Sequence, residues 1–368
     1  MSLDSIIREY LSLAASEENA RRRGQMPGMV VGIEEPMCYI RLFDLDYGRF
    51  LSDAEYFVEQ TLRFRMWRFE NIKDSYVLTE DLIAIKSLYP EYTLLGMDVT
   101  FDSAGVPLIA ENHPLRQNAD LSLIEPVDFH TSGWMKSLIQ WYEDIKAVVG
   151  GRLTVHFQTW WRACLDLAID MRGYETLMAD AYDDPDFLHG LLSAIIDRRI
   201  AWFDGYYKHF GLGRSPASIA DDWINIPFIT PGFFEEFLLP MYKRIEDYHG
   251  GIIGIHSCGN QTPVHKMMQE NLKTIPVFEI SPWSSLEGSL EILTPNKHIT
   301  LGFHPNDVLI KDTAAIEEQV RHIHKATKGR KFSLATSGLT LTPPLETEKQ
   351  FLDQIGLWLD ITKSVFWK

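Results

Sequence analysis

The sequence predicts an α/β fold, a (β/α)8 TIM-type barrel with a helical N-terminal extension. Three observations predict it. Short apolar runs of strand length recur from about residue 92, each followed by a polar or Gly/Pro turn and then a helical stretch. That is the rhythm of a parallel sheet with crossovers. The chain has 368 residues, a length that one barrel of this type can occupy. No G-x-G-x-x-G follows an early strand, so the alternative, a doubly wound open sheet, has little support.

Residues 1–90 read as mostly helical and form the extension; residues 91–368 form the barrel, in one structural domain overall. The opening MSLDSIIREYLSLAASEENARRRG looks like an amphipathic helix and has no signal-peptide apolar core. Arg21–Arg23 is a solvated helix end or, on the sharper reading, an anion-binding arm. MVVGI (29–33) is a plausible strand, and the aromatics of 51–73 recur at helical spacing, as packing residues do. The further strands are expected in YTLLGMD (92–98), LTVHF (153–157), ASIADD (217–222), GIIGIH (251–256), IPVFEI (275–280), HITLGF (298–303) and KFSLAT (331–336). Helices are expected over 173–208, 231–249, 262–271, 312–327 and 345–362. Asp183-Asp184-Pro185 has the composition of a helix start, and Pro231 opens another.

Lys plus Arg is 35 and Asp plus Glu is 51, so the formal charge is 35 − 51 = −16. That balance argues against a nucleic-acid partner, which needs a basic face. Three scattered cysteines form no disulfide framework and suggest a reducing, cytoplasmic setting. No apolar run reaches the ~18–20 residues of a membrane span.

Barrel chemistry sits at the C-terminal ends of strands. Those ends carry Asp98, Phe157, Gln158, Trp160, Trp161, Asp221, Asp222, His256, Cys258, Glu279, His304 and Ser337. The sharpest motif is His256-Ser-Cys258-Gly259-Asn260. An imidazole and a thiolate two residues apart can share one cation, with Gly259 freeing the backbone to turn, and Glu279 lies at the next strand end. The bland reading is a buried cysteine beside a hydrogen-bonded histidine. Phe157, Trp160 and Trp161 would make an aromatic wall for a flat or methylated ligand, with Gln158 and His304 as further substrate contacts, or else they are core. Asp98 and Asp222 are acid/base candidates or helix caps; Asp221 reads as a cap.

The blocks Arg172-Gly-Tyr-Glu-Thr-Leu-Met-Ala-Asp180, Asp183-Asp-Pro-Asp186, Thr230-Pro-Gly-Phe-Phe-Glu-Glu-Phe-Leu-Leu-Pro240, His256–Asn260 and Ser337–Glu346 together resemble the uroporphyrinogen decarboxylase superfamily over roughly residues 90–362. The resemblance implies a single (β/α)8 barrel. It also implies one of two chemistries. True decarboxylases carry an arginine-rich N-terminal segment, of which Arg21-Arg-Arg-Gly-Gln-Met-Pro27 is a loose echo, and a G-H-G where this chain reads Ser337-Gly-Leu339. The zinc methyltransferase branch has His-x-Cys at the strand end, as at His256 and Cys258, with a second cysteine that is missing here. Overlaying the order of the related cobalamin-independent methionine synthases places Glu279 on their Glu ligand and Ser337 on their last Cys.

The resemblance therefore implies a methyltransferase with zinc on His256, Cys258 and Glu279, and Ser337 or water in fourth place. Its corrinoid would arrive on a separate carrier protein, since no D-x-H-x-x-G motif occurs, and a methoxyaromatic or thiol substrate is the guess it prompts. The alternatives are a decarboxylase of a tetrapyrrole or smaller acid, with Arg21–Arg23 holding carboxylates, and a non-catalytic barrel that binds a corrinoid or tetrapyrrole.

Overall fold

The computed structural model describes residues 1–35, 37–85, 90–101 and 107–367. Ten strands occur among them: β1 (Met29–Val30), β2 (Asp81–Ala84), β3 (Val99–Phe101), β4 (Pro107–Ile109), β5 (Thr154–Phe157), β6 (Ala217–Ala220), β7 (Ile252–His256), β8 (Val277–Ile280), β9 (His298–Phe303) and β10 (Lys331–Thr336). Seven of the eight expected strand runs are thus strands. The exception is YTLLGMD. Pro90–Leu94 is a short helix, opened by a proline whose fixed φ suits a first helical turn, and Gly96 leaves it at φ 81°. A strand that the sequence reading did not anticipate, β2, lies just upstream, and the β3–β4 hairpin follows.

The chain forms two compact units: Met1–Ala84, Trp141–His156 and Pro295–Lys368 in the first, Ile85–Gln140 and Phe157–Thr294 in the second. In the first unit, helix Leu3–Ala14 starts on Ser2, whose hydroxyl accepts from the Ser5 amide. Its Ile6, Ile7 and Tyr10 are fully buried in a cluster with Phe57, Val58 and Leu62 of helix Ala54–Asn71. Burying each isoleucine stabilises the unit by roughly 1.5–3 kcal/mol. Arg22 is buried too. Its guanidinium donates to Glu18 and to the carbonyls of Ile72 (3.0 Å) and Phe69 (2.8 Å), while Arg21 pairs with Glu18. Arg22 is therefore a structural clamp, whereas Arg21 is an exposed partner of Glu18, so one of the three guanidinium groups of the expected anion-binding arm is taken up inside the unit.

Within this unit β1, β10 and β9 pair in parallel, with Met29 opposite Leu334 and Leu334 opposite Leu301. Helix Glu348–Phe366 closes a capping box between Thr347 and Gln350 and lays Trp358 edge-on against Phe303, 5.1 Å between ring centroids.

In the second unit the 26-residue helix Pro185–Phe210 begins where Asp184 accepts from the Phe187 amide and ends at left-handed Gly211. The helix after Thr230 widens into a π-turn over Phe234–Leu238, next to Pro240, which has no N–H to donate. β6 and β7 pair in parallel, and Arg162 bridges Ala220 on the other side of β6. The C-terminal end of β6 is therefore held from both sides, at Ala220, where the polar residues begin. Among the described residues no helix is long and apolar enough to cross a membrane.

Candidate metal centre

The segments beyond β6 and β7 are stitched to each other. Asp221 N donates to His256 O (2.9 Å), Ser257 Oγ to Ile224 O (2.9 Å), Ile226 N to Asn260 O (3.1 Å) and Asn260 N to Asn225 Oδ1 (2.9 Å). Gly259 makes this approach possible. A Cβ there would lie 2.3 Å from Asn225 Cβ and 2.7 Å from Asn225 Cα. Its φ is not in the left-handed region, so close contact, not turning freedom, is what requires glycine.

Asp222, His256 and Cys258 meet there, the one such group of metal-capable side chains among the described residues. His256 Nε2 is 3.4 Å from Cys258 Sγ and 3.5 Å from Asp222 Oδ1. On the far side of the ring, Nδ1 lies 2.8 Å from Glu279 Oε2. A carboxylate oxygen can only accept, so Nδ1 carries a proton, and a cation in the cluster would take the place of the second proton that Nε2 holds when the ring is charged. The structure thus places Asp222 beside the donor atoms and Glu279 behind the imidazole, where it sets the tautomer. Tetrahedral zinc with ordinary bond lengths needs an N···S edge of about 3.6 Å and an N···O edge of about 3.3 Å. The observed separations fit, and an N, S, O donor set suits zinc.

The charges agree. Burial opposes ionisation of Asp222, but Arg162 beside it outweighs burial and holds the carboxyl below its usual range. Burial likewise works against a charged His256, yet hydrogen bonds to Cys258 and Glu279 prevail and raise it to about 10. The cluster favours a positive charge at its centre. Arg162 Nη1 bridges Asp222 and Asp166. The amides of Trp161 and Arg162 donate to buried Glu91 Oε1, at 3.3 and 3.0 Å. Asp221 is fully buried and accepts from the amides of Leu165 (3.1 Å) and Asp166 (2.8 Å) and from the Tyr242 hydroxyl (2.8 Å). It caps helix Cys164–Arg172 from outside, the role read for it from sequence.

The aromatic residues divide by side. Trp161 is 43% exposed and stacks on the His256 ring, 5.8 Å between centroids. Trp160 is buried, with its indole N–H on Arg162 O (3.0 Å), and Phe157 is buried against Phe129 and Phe210. Successive residues of an extended segment face opposite ways, so of the expected wall Trp161 alone is exposed; Phe157 and Trp160 are corrected to core. Gln158 is half-buried just after β5. Asp98 is exposed, outside the cluster, and accepts from Asn112 Nδ2 (2.9 Å) at the foot of the β3–β4 hairpin. His304 and Ser337 belong to the first unit. His304 Nδ1 accepts from Asn306 N (3.1 Å) as the cap of helix Pro305–Leu309, and Ser337 N donates to Phe303 O (3.0 Å).

The uroporphyrinogen decarboxylase (URO-D) family description matches residues 77–355, most of the chain. The chain belongs to the URO-D family. Among solved structures, a methyltransferase from Methanosarcina mazei is 15% identical, covers 97% of this chain and 98% of its own, and superposes with a TM-score of 0.58. A protein described as a vitamin-B12 independent methionine synthase from Listeria monocytogenes, also 15% identical, covers 66% of this chain and 72% of its own with a TM-score of 0.35. No curated protein matches in sequence. The URO-D chain therefore shares a mixed α/β fold with the Methanosarcina protein. Its Arg162 and Glu91 were not singled out from sequence; the Arg162/Asp166 pair, four apart at a helix entry, was the available signal for the first. Glu91 gave none.

Proposed function

We propose that this URO-D family member is a zinc-dependent methyltransferase built on a (β/α)8 barrel, moving a methyl group between a small substrate and a corrinoid on a separate carrier protein. The observation that carries the reading is the Asp222–His256–Cys258 cluster, with Glu279 seated on the opposite nitrogen of the histidine. His256 Nε2, Cys258 Sγ and Asp222 Oδ1 would hold the metal. Zinc there supplies Lewis acidity toward a substrate oxygen or sulfur.

The chain's own residues do the rest. Glu279 fixes the His256 tautomer. Arg162 holds Asp222 ionised through the oxygen that faces away from the cluster, leaving the other for the metal. Trp161, lying on the His256 ring, offers an apolar face to a methoxyaromatic or methylthiol group and keeps water from that side. The acid-binding alternative has less to stand on, because Arg22 is spent on carbonyls inside the first unit.

The test is metal content of protein purified without added zinc or chelator, together with methyl transfer to cob(I)alamin from a panel of methoxyaromatic and methylthiol donors. The reading expects about one zinc per chain. Cys258→Ala should lose both the zinc and the transfer. Zinc-free wild-type protein, or full zinc in Cys258→Ala, would overturn it.

A further inference from the structure

Within the second unit, the segment Trp160–Arg162 carries two side chains that reach the metal centre. Trp161 stacks on the His256 ring at 5.8 Å, and Arg162 bridges to Asp222. The backbone of the segment rests on two charged residues from other elements, Glu91 of helix Pro90–Leu94 and Arg199 of helix Pro185–Phe210. They are 2% and 1% exposed. Glu91 Oε1 accepts from the amides of Trp161 (3.3 Å) and Arg162 (3.0 Å). Arg199 Nη1 donates to the carbonyls of Trp160 (3.0 Å) and Arg162 (3.1 Å). The end of β6 completes the hold: Ala220 N donates to Trp161 O (3.2 Å), and Ala163 N to Ala220 O (2.7 Å).

The arrangement fixes one peptide plane in particular. The peptide joining Trp160 to Trp161 is trans, so its C=O and N–H point in opposite directions. The C=O meets the Arg199 guanidinium and the N–H meets the Glu91 carboxyl. Turning the peptide over would set its oxygen against the acid and its N–H against the cation. Neutral partners would discriminate less between the two orientations, because hydrogen bonds to charged groups are the stronger ones. The direction in which the Trp161 side chain leaves the backbone follows from this plane. Burying charge is costly unless hydrogen bonds compensate, and here the compensating bonds are those to this segment. Burial lowers the Arg199 pKa to about 10, and Glu91 is first among the charges that oppose the shift. Burial raises Glu91, against the pull of the same two amides and of Arg162.

We propose that Glu91 and Arg199 are positioning residues of the metal centre, a role that rests on the metal site proposed above. Through the backbone of Trp160–Arg162 they seat Arg162 on Asp222 and Trp161 on His256, and they touch neither metal nor substrate themselves.

The test uses Glu91→Gln, which keeps an oxygen acceptor and loses the charge. A second variant, Glu91→Gln/Arg199→Met, leaves no buried charge uncompensated and so folds where the single substitution does not. Circular dichroism checks that each is folded. Two measurements follow. In metal-free protein, hydrogen–deuterium exchange at the Trp161 and Arg162 amides should quicken about tenfold, with distant segments unchanged. In protein titrated with Co²⁺ as a coloured stand-in for zinc, the folded variants should bind about tenfold more weakly, at the lower end of what partners of metal-bound histidines contribute, and with an altered visible spectrum. A purely structural role would lower the unfolding temperature and leave cobalt affinity and spectrum at the wild-type values, which would overturn the proposal. Unchanged exchange at both amides would overturn it too. No cobalt uptake by the wild type would instead refute the metal site, and the exchange result would still decide whether Glu91 and Arg199 hold the segment.

Discussion

The chain-order overlay makes Glu279 a metal ligand and leaves Asp222 an acid/base candidate, whereas the geometry puts Asp222 beside the donor atoms and Glu279 behind the histidine; zinc affinity separates the two assignments. Glu279 Oε2 lies 2.8 Å from His256 Nδ1, across the ring from the cluster, whereas Asp222 Oδ1 lies 3.5 Å from Nε2 and accepts from the Cys258 amide at 3.2 Å. If Glu279 orients the histidine, Glu279→Gln keeps a neutral acceptor for the Nδ1 proton and loses only the charge. Orienting partners of metal-bound histidines are worth about 10–100-fold in affinity, roughly 1.4–2.7 kcal/mol. With the amide oxygen still accepting, the loss should lie near the tenfold end. Asp222→Asn removes an anionic ligand and also half of the Arg162 bridge, so zinc should weaken by more than about a hundredfold. Competition against a chromophoric zinc chelator measures both, with far-UV circular dichroism confirming that each variant is folded. If Glu279→Gln loses zinc as completely as Cys258→Ala while Asp222→Asn stays within tenfold of wild type, Glu279 is the ligand and the geometric assignment is wrong.

Gly259→Ala should cost about 1–3 kcal/mol by overpacking against Asn225, read as a lower urea midpoint at constant m; an unchanged midpoint would mean that the close approach is not rigid. Asp221→Ala strands the Leu165 and Asp166 amides and the Tyr242 hydroxyl in the interior, and should cost about 3–5 kcal/mol by chemical denaturation, with a loss under 1 kcal/mol contradicting the capping role. His265 is fully buried, and burial lowers its pKa to about 4 against a smaller opposing pull from the Glu279 backbone. Above about pH 6.5 both folded and unfolded states hold it neutral; as the pH falls toward 4 only the unfolded state takes up the proton, so stability drops, by roughly 3 kcal/mol at the low end. His265→Phe should flatten that part of the pH–stability curve, and an identical acid loss in both proteins would refute it.

The parts of the fold that were legible from sequence are those where one periodicity is unambiguous. HITLGF and KFSLAT coincide with β9 and β10 to the residue, because in each large apolar residues alternate with polar or small ones between turn signals. YTLLGMD has the same apolar density, but the proline before it favours a first helical turn, and an apolar run of that length does not by itself distinguish strand from buried helix. β2 escaped notice because DLIA is four residues long with alternate residues exposed. Among site residues, chain order marked His256 and Cys258, since a two-residue spacing at a strand end constrains both side chains. It could not separate Trp160 from Trp161, because adjacent residues differ only in which face they take.

The same limit explains the ligand question. An overlay of chain order reports that Glu279 follows Cys258 on the next strand, but not which imidazole nitrogen its carboxylate meets. Three dimensions settle the contact: Glu279 is on Nδ1, and the acid on the Nε2 side comes from the preceding strand end. That difference bears on the feature that made zinc doubtful from sequence, the serine at 337 where the methyltransferase branch has a second cysteine. A third protein donor supplied by Asp222 lies within the same compact unit as His256 and Cys258, so the proposed metal does not depend on Ser337. It does depend on Arg162. Without that guanidinium on its outer oxygen, burial would push the Asp222 carboxyl toward its protonated form, and a protonated Asp222 is no ligand. Arg162, which the sequence reading did not single out, is on this account what keeps the third ligand charged.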